Sequence, residues 1–506
     1  MLAWLTQLPL LVVLLGITGV MNFVPALHAL ALRQHQVAQD FLYSGLIILV
    51  GAMMLAIATL QQPSRNAARS HLTALVAAYL VLPVVMALPI LQILPDTRFV
   101  NAWFEMMSAF TTTGASLYDP ARLPPSVHLW RGMVGWFGGF FILLAAYAIL
   151  APMNLGGVEV ISGRVPGRGA QGATQITRVA DPAERVGRYA LTLFPVYGGL
   201  TLMLWVGLMI AGLPALEAVC LAMGTLSTSG ILVGAPGQTV PPGLLAEGLI
   251  FCFLFLSVSR RIMPGSGFVD RTTPVWRDPE LRLVIALLCL VPAVLFVRHW
   301  LAWVELPGPA PDIATAGAAV WGALFTTLSF LTTTGYQSSS WATAQWWSGL
   351  GAPGVMLMGL AIIGGGVATT AGGVKLLRVY SLFRHGEREL ERIVHPSSVG
   401  GQGSQARRLR REGAYLAWVF FMLFGIAIAV VTALLTLTGV AFEPALVLTL
   451  AALTTTGPLV DVATTPPISY ADLDSAAKVV LAAAMVVGRL ETLALLALLA
   501  PANWRK

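Results

Sequence analysis

Charge is what this sequence has least of. Of its 506 residues only 10% are Asp, Glu, Lys or Arg, while 57% are hydrophobic. A soluble domain carries roughly a quarter charged residues, so a chain this poor in charge cannot cover a water-facing surface. Cysteine is scarce too. Cys220, Cys252 and Cys289 stand singly in apolar stretches, with no CxxC pair and no Cys/His cluster. They read as small buried residues, with neither a disulfide nor a metal site indicated. The seven histidines are scattered, which offers no metal-ligand spacing. The apolar segments hold no paired acids, His/Asp cluster or nucleophile with a base, which argues against an intramembrane enzyme. The stretch 1–32 is apolar but lacks a basic leader and a small-residue cleavage site, so it reads as a first spanning helix rather than a removable signal peptide.

What the chain does have is long apolar blocks, and about 20 such residues span a bilayer as a helix. The expected class is an all-α polytopic membrane protein. Spanning candidates run at about 5–30, 41–60, 71–95, 128–153, 188–212, 243–263, 281–304, 347–384 (interrupted), 413–439 and 475–500, which makes ten. Four shorter apolar segments, 100–110, 214–226, 316–331 and 442–453, reach about half way across and read as re-entrant helices. Most Lys and Arg lie at 61–70, 154–187, 264–280, 385–412 and Arg505-Lys506, with the densest cluster at Arg407, Arg408, Arg410 and Arg411. Ten helices put all of these on one face, cytoplasmic by the positive-inside rule, together with both termini. The four short segments then dip in from outside. The basic connections serve as topology signals beside anionic lipid, and 385–412 is also long enough to dock a cytosolic partner.

Each short segment ends in a similar turn. The four are Ala109-Phe110-Thr111-Thr112-Thr113-Gly114, Thr225-Leu226-Ser227-Thr228-Ser229-Gly230, Phe330-Leu331-Thr332-Thr333-Thr334-Gly335 and Ala452-Leu453-Thr454-Thr455-Thr456-Gly457. Their glycines are 116, 105 and 122 residues apart. The unit is helix, half-helix, turn, helix, repeated four times after two extra helices. This gives expected boundaries at 1–65 for the extra helices and 66–160, 161–270, 271–400 and 401–506 for the four units. Non-helical backbone at bilayer depth is tolerated only when buried in protein or lining a watery path. One TTTG alone signifies little, because Thr and Gly are common where membrane helices touch. Four on the same side can meet at a pseudo-fourfold pore, where carbonyls replace the hydration shell of a monovalent cation. Glycine permits the backbone geometry, threonine resists helix continuation, and the half-helix C-termini favour a cation.

Two further features stand inside apolar segments. The segment Gly364-Gly365-Gly366-Val367-Ala368-Thr369-Thr370-Ala371-Gly372-Gly373-Val374-Lys375 has five glycines in its first ten residues and interrupts a spanning helix. It reads as a movable intramembrane loop, or as close packing of small residues between helices; the lysine is displaced from a phosphate-loop pattern. Arg489 falls near the middle of the last span, where a charge must face a cavity or a partner. It reads as half of an ion pair with another helix, or as a fixed positive charge beside the path that repels cations or holds the loop. Glu491, two residues on, is not expected on the same face. Glu217 and Glu443 stand near the starts of their half-helices and complement the helix dipoles, with attraction of cations a secondary role.

These turns, the 364–375 segment and Gly488-Arg489-Leu490-Glu491 resemble the Trk/Ktr/HKT potassium-transporter superfamily, the TrkH-like branch most of all, over nearly the whole chain. The two extra N-terminal helices fit that branch. The resemblance implies that potassium is bound by backbone carbonyls of Thr112, Thr113, Thr228, Ser229, Thr333, Thr334, Thr455 and Thr456, with Gly114, Gly230, Gly335 and Gly457. In the plant HKT branch, serine at the first glycine position goes with sodium preference; all four positions here are glycine, which implies potassium. Ser227 and Ser229 depart from the threonine pattern in a way carbonyl coordination should survive. The resemblance further implies a gate made of Gly364, Gly365, Gly366, Thr369, Thr370, Gly372, Gly373 and Lys375 with Arg489. It also implies a homodimer in a bacterial inner membrane and a separate cytosolic, TrkA-type nucleotide-binding subunit. No nucleotide motif, other cofactor or nucleic-acid contact is expected in this chain. The expected function is channel-like potassium uptake. The alternative is a secondary transporter coupled to H⁺ or Na⁺, although such proteins usually show twofold rather than four same-sense repeats.

Overall fold

Apolar runs with few charges have to close their backbone hydrogen bonds internally, and they do so as helices. A computed structural model describes residues 8–59, 67–153, 155–157, 182–234, 243–261, 275–305, 313–349, 353–395, 411–464 and 466–491. Helices α1 (Leu10–Met21), α2 (Phe23–Ala31) and α3 (His35–Thr59) form an N-terminal hairpin. They are followed by α4 (Ala67–Met86), α5 (Leu88–Ile93), α6 (Phe99–Phe110) and α7 (Pro125–Ala145). Next come α8 (Pro182–Ile210), α9 (Ala215–Ser227) and α10 (Leu244–Leu254). The third group is α11 (Pro279–Glu305), α12 (Ile313–Leu331), α13 (Trp341–Ser348), α14 (Gly354–Ile363) and α15 (Leu376–Val394). The last is α16 (Arg411–Leu437), α17 (Phe442–Leu453), α18 (Leu459–Ala463) and α19 (Ser475–Leu490).

The packing closes on itself. Within each group the short helix lies against the helix that follows its turn, α6 on α7, α9 on α10, α12 on α14 and α17 on α19. Between groups α7 packs on α9, α10 on α12, α14 on α17, and α19 returns to α6. The C-terminal and N-terminal parts of the chain therefore share one ring. Burial follows position in it. The span containing α7 is 89% buried, whereas the spans of α3, α8 and α16 are only 28% buried. Their exposed faces carry Met53, Met54 and Ile57, Leu202, Met203 and Ile210, and Ile426 and Leu437. Apolar surface of that extent belongs in hydrocarbon.

Among the described residues eight helices are long and apolar enough to cross a membrane. Seven coincide with expected spans. The eighth, Ala314–Leu331, was expected to be a half-helix and is longer, because α12 begins at Ile313 and runs for 19 residues. The other three expected spans are short or broken among the described residues. Leu244–Ser257 is a shorter apolar helix, 347–384 is divided by the glycine-rich segment, and α19 stops at Leu490 where Glu491 takes φ 64°. Arg489 thus stands in the last turn of its helix rather than near its middle. The basic connections, including Arg407, Arg408 and Arg410, and Arg505-Lys506 lie largely or wholly outside the described residues.

Candidate functional site

The four short helices end alike. The Thr111 hydroxyl donates back to the Met107 carbonyl at 2.8 Å and shares a hydrogen bond of 2.9 Å with the Thr113 hydroxyl. Ser227 does the same with Met223 (2.7 Å) and Ser229 (3.0 Å), Thr332 with Leu328 (2.9 Å) and Thr334 (3.1 Å), and Thr454 with Leu450 (2.7 Å) and Thr456 (3.2 Å). The first and third hydroxyls of every turn are thus tied up locally. The N–H of the third residue returns to the helix, Thr113 to Ser108, Ser229 to Gly224, Thr334 to Ser329 and Thr456 to Ala451, at 2.8–2.9 Å. Between them the middle residue is left-handed, with φ 57° at Thr112, 53° at Thr228, 57° at Thr333 and 55° at Thr455. Strain of that kind costs of order 1–3 kcal/mol per residue and persists only where the surroundings enforce it. Serine in the second turn changes none of this.

The turns meet in cyclic order. A Cβ on Gly114 would lie 2.0 Å from the Ser229 carbonyl oxygen, and one on Gly230 would lie 2.1 Å from that of Thr334. Gly335 abuts Pro458, and the Gly457 N–H donates to the Thr113 carbonyl at 2.6 Å. First touches second, second third, third fourth, and fourth first. Glycine is required at Gly114, Gly230 and Gly457 by the closeness of the neighbouring backbone and at Gly335 by the Pro458 ring, and at Gly114, Gly230 and Gly335 also by φ of 75°, 64° and 83°. The fourth turn differs. Gly457 is absent from the positive-φ positions, its N–H engages Thr113, and its carbonyl accepts from the Tyr470 hydroxyl at 3.0 Å. All the threonines and serines of the turns are buried.

The glycine-rich segment leaves α14 and returns at the same place. Val374 N–H bonds the Ile362 carbonyl and Lys375 N–H that of Ile363, both at 2.9 Å, which pinches residues 364–373 into a closed loop. Gly364 and Gly373, at φ 73° and 76°, cross so tightly that a Cβ on Gly364 would lie 2.2 Å from the Gly372 oxygen. The loop tip lies against the turns. Gly372 N–H donates to the Thr333 hydroxyl at 2.7 Å, and the Thr370 hydroxyl to the Leu226 carbonyl at 3.2 Å. A Cβ on Gly372 would stand 2.3 Å from both the Thr454 oxygen and the Thr455 hydroxyl. One short loop therefore touches the second, third and fourth turns. The Thr369 hydroxyl caps the loop internally on the Gly366 carbonyl at 2.7 Å, and Gly365 and Gly366 pass over the Ser257 and Val258 carbonyls.

Charged groups hold the loop. Arg489, 4% exposed, donates from Nη1 to the Thr370 carbonyl at 2.6 Å. Among the described residues it forms no ion pair, and its hydrogen bond is to the loop. Glu491 instead pairs with Arg378 at 2.5 Å, and the Arg378 guanidinium stacks 3.8 Å over the Phe420 ring. Lys375 Nζ donates to the Ala371 carbonyl within the loop. Behind the loop a pocket of about 20 Å³, room for a single water, is lined by Ala146, Leu150, Thr369, Lys375, Arg489 and Glu491 among others. There α7 loosens into a π turn at Ala146–Leu150.

These features point to one lineage, and comparison with known proteins supplies the decisive observation. The chain is 30% identical over 414 residues to the Trk system potassium uptake protein TrkH of Salmonella typhimurium, covering 81% of each chain. The chain belongs to the TrkH family. The family described as "TrkH: Cation transport protein" matches residues 279–506. The Trk system potassium uptake protein TrkI of Halomonas elongata is 27% identical over 99% of this chain and 97% of its own. The crystal structure of the potassium transporter TrkH from Vibrio parahaemolyticus superposes with a TM-score of 0.78 at 26% identity, covering 99% of both chains. A TrkH-family chain is a multi-pass membrane transport protein and not an enzyme, and nothing in its relatives calls for a cofactor.

Sequence reasoning passed over several residues that this TrkH-family fold draws into the site. Glu280, at the start of α11 and 3% exposed, accepts the Val367 N–H of the loop at 2.8 Å. Arg378 was passed over because it follows the loop by only three residues, at the start of a polar helix. Glu105 and Glu247 are acids inside apolar segments, which was a usable signal. Glu217 and Glu443 lie in the first turns of α9 and α17, half-buried and exposed respectively.

Proposed function

We propose that this protein takes up potassium across a bacterial cytoplasmic membrane through the ring of four turns, and that the glycine-rich loop is the gate that closes it. The observation that carries the reading is the cyclic contact from Gly114 to Ser229, Gly230 to Thr334, Gly335 to Pro458 and Gly457 to Thr113. With the first and third hydroxyls of each turn bonded locally, backbone carbonyls are the main groups that can replace water around a cation. The ion-binding set is Thr112, Thr113, Gly114, Thr228, Ser229, Gly230, Thr333, Thr334, Gly335, Thr455, Thr456 and Gly457. The gate is Gly364, Gly365, Gly366, Thr369, Thr370, Gly372, Gly373 and Lys375, held shut by Arg489. The ion moves down its electrochemical gradient, with both termini of the chain in the cytoplasm.

Regulation by a cytosolic TrkA-type nucleotide-binding subunit, and dimerisation, extend the same reading through the family. The amphipathic α15 supports a cytosolic partner, since Phe383, Leu390, Ile393 and Val394 are exposed on a helix that also carries Arg384, Glu387 and Arg388. The test is purified protein in liposomes with a potassium gradient and no other driving force. Potassium flux under those conditions supports the reading. Strict dependence on a proton or sodium gradient would replace it with coupled secondary transport.

A further inference from the structure

Two buried carboxylates stand behind opposite sides of the ring. Glu105, on α6 and 2% exposed, accepts the Leu117 N–H on Oε2 at 2.8 Å and the Ser116 hydroxyl on Oε1 at 3.3 Å. Arg131 of α7 pairs with the same Oε1 at 2.7 Å and donates from Nη2 to the Ser116 hydroxyl at 2.8 Å. Ser116 and Leu117 are the chain that leaves the first turn just after Gly114. Glu247, on α10 and 1% exposed, does the corresponding work at the third turn. Its Oε1 accepts the Ser339 N–H (2.8 Å) and hydroxyl (2.6 Å), and its Oε2 the Ser338 hydroxyl and the Trp321 indole N–H, both at 2.7 Å. Ser338 and Ser339 follow Gly335 by three and four residues.

The two acids reach the same result from different elements. Glu105 comes from the helix before its own turn, Glu247 from the helix of the preceding group. The cyclic order of contacts makes the first and third turns diagonal partners. The fourth turn is restrained differently, by Tyr470 on the Gly457 carbonyl and by Pro458.

We propose that Glu105, with Arg131, and Glu247 are positioning residues for ion selection, fixing the exit backbone of the two diagonal turns so that their carbonyls stay at one spacing. The proposal rests on reading the four turns as the ion filter. Carbonyl coordination discriminates between cations of different size only if the ring resists shrinking around the smaller one. A carboxylate that accepts several bonds from one short segment supplies that resistance. The acceptor geometry also makes glutamine a poor substitute. At Glu247 each oxygen receives one N–H that cannot rotate away, from Ser339 on one side and from Trp321 on the other. Whichever way an amide is placed, its NH₂ faces a fixed donor. At Glu105 the fixed donor is the Leu117 N–H on Oε2, while the Arg131 charge stands beside Oε1, so an amide loses the ion pair whichever way it is placed.

The experiment compares potassium and sodium permeation in liposomes for the wild type, E105Q, E247Q and Gly114→Ser, with Asp96→Asn on the exposed connection between α5 and α6 as a charge-matched control. Positioning predicts that E105Q and E247Q each lower potassium-over-sodium discrimination by roughly fivefold to tenfold, while folded protein per vesicle and the control stay near wild type. Unchanged discrimination in both glutamine variants, with Gly114→Ser altered, overturns the positioning role and leaves the filter reading standing. Unchanged discrimination in all three overturns both. If E247Q is not recovered folded, Ser339→Ala removes one donor and keeps the carboxylate. A loss of about twofold then supports the proposal, and no change overturns it.

Discussion

Arg489 Nη1 donates to the Thr370 carbonyl at 2.6 Å, joining the last described turn of α19 to the tip of a loop 119 residues earlier. The same Thr370 reaches the Leu226 carbonyl through its hydroxyl, so a single residue links the arginine to the second turn. Replacing Arg489 by alanine removes the anchor and leaves the turns untouched. Potassium flux per transporter in liposomes should rise about tenfold, with Arg489→Lys intermediate because it keeps the charge but not the reach of the planar fork. Flux equal to wild type in the alanine variant would remove Arg489 from the gate.

Gly372→Ala tests the loop from the opposite side. Its Cβ would meet the Thr454 oxygen and the Thr455 hydroxyl at 2.3 Å, so the tip cannot remain seated against the third and fourth turns. Flux should increase with little change in discrimination, since the carbonyl ring itself keeps its contacts. Gly386→Ala, on α15 with open space around it, is the matched substitution expected to change neither quantity.

Gly114→Ser places a side chain where φ is 75° and the Ser229 carbonyl oxygen stands 2.0 Å from the new Cβ. The two adjacent turns must separate. Potassium-over-sodium discrimination should fall by about tenfold or more, read as the ratio of permeabilities in the same vesicles. An unaltered ratio would show that the first turn does not select the ion.

The Arg378–Glu491 pair, at 2.5 Å with side chains 0% and 9% exposed, concerns stability more than selection. Removing one partner of a buried ion pair costs about 3–5 kcal/mol in comparable cases. Glu491→Gln should therefore lower the thermal midpoint in detergent markedly. Arg378→Met combined with Glu491→Leu should recover much of the loss, because both members of this buried pair are replaced by apolar side chains. A double variant no better than Glu491→Gln alone would mean that the pair does more than neutralise itself.

Much of the site could be read along the chain. The four turns stand out because the same Thr/Ser-Gly pattern follows each short apolar helix, and local hydrogen bonds from Thr111, Ser227, Thr332 and Thr454 make each turn a property of its own residues. The break at 364–373 was legible because glycine at that density cannot stay helical. The length of α12 and the end of α19 at Glu491 were less legible. Hydropathy does not mark where a helix begins or where one residue turns left-handed.

Class and parts list were determined by sequence alone. Low charge and long apolar runs demand helices in a bilayer, and the repeated turns announce four equivalent elements. What touches what was decided only in three dimensions. Nothing in the order of residues says that Gly457 will donate to Thr113, that Glu247 will serve a turn in the next group, or that Glu491 will choose Arg378 while Arg489 takes a carbonyl of the loop. Those outcomes depend on ring closure between α19 and α6, which brings distant segments within hydrogen-bond reach. In a dry interior each buried polar group must find a partner, and which partner it finds depends on which groups the packing has already placed beside it.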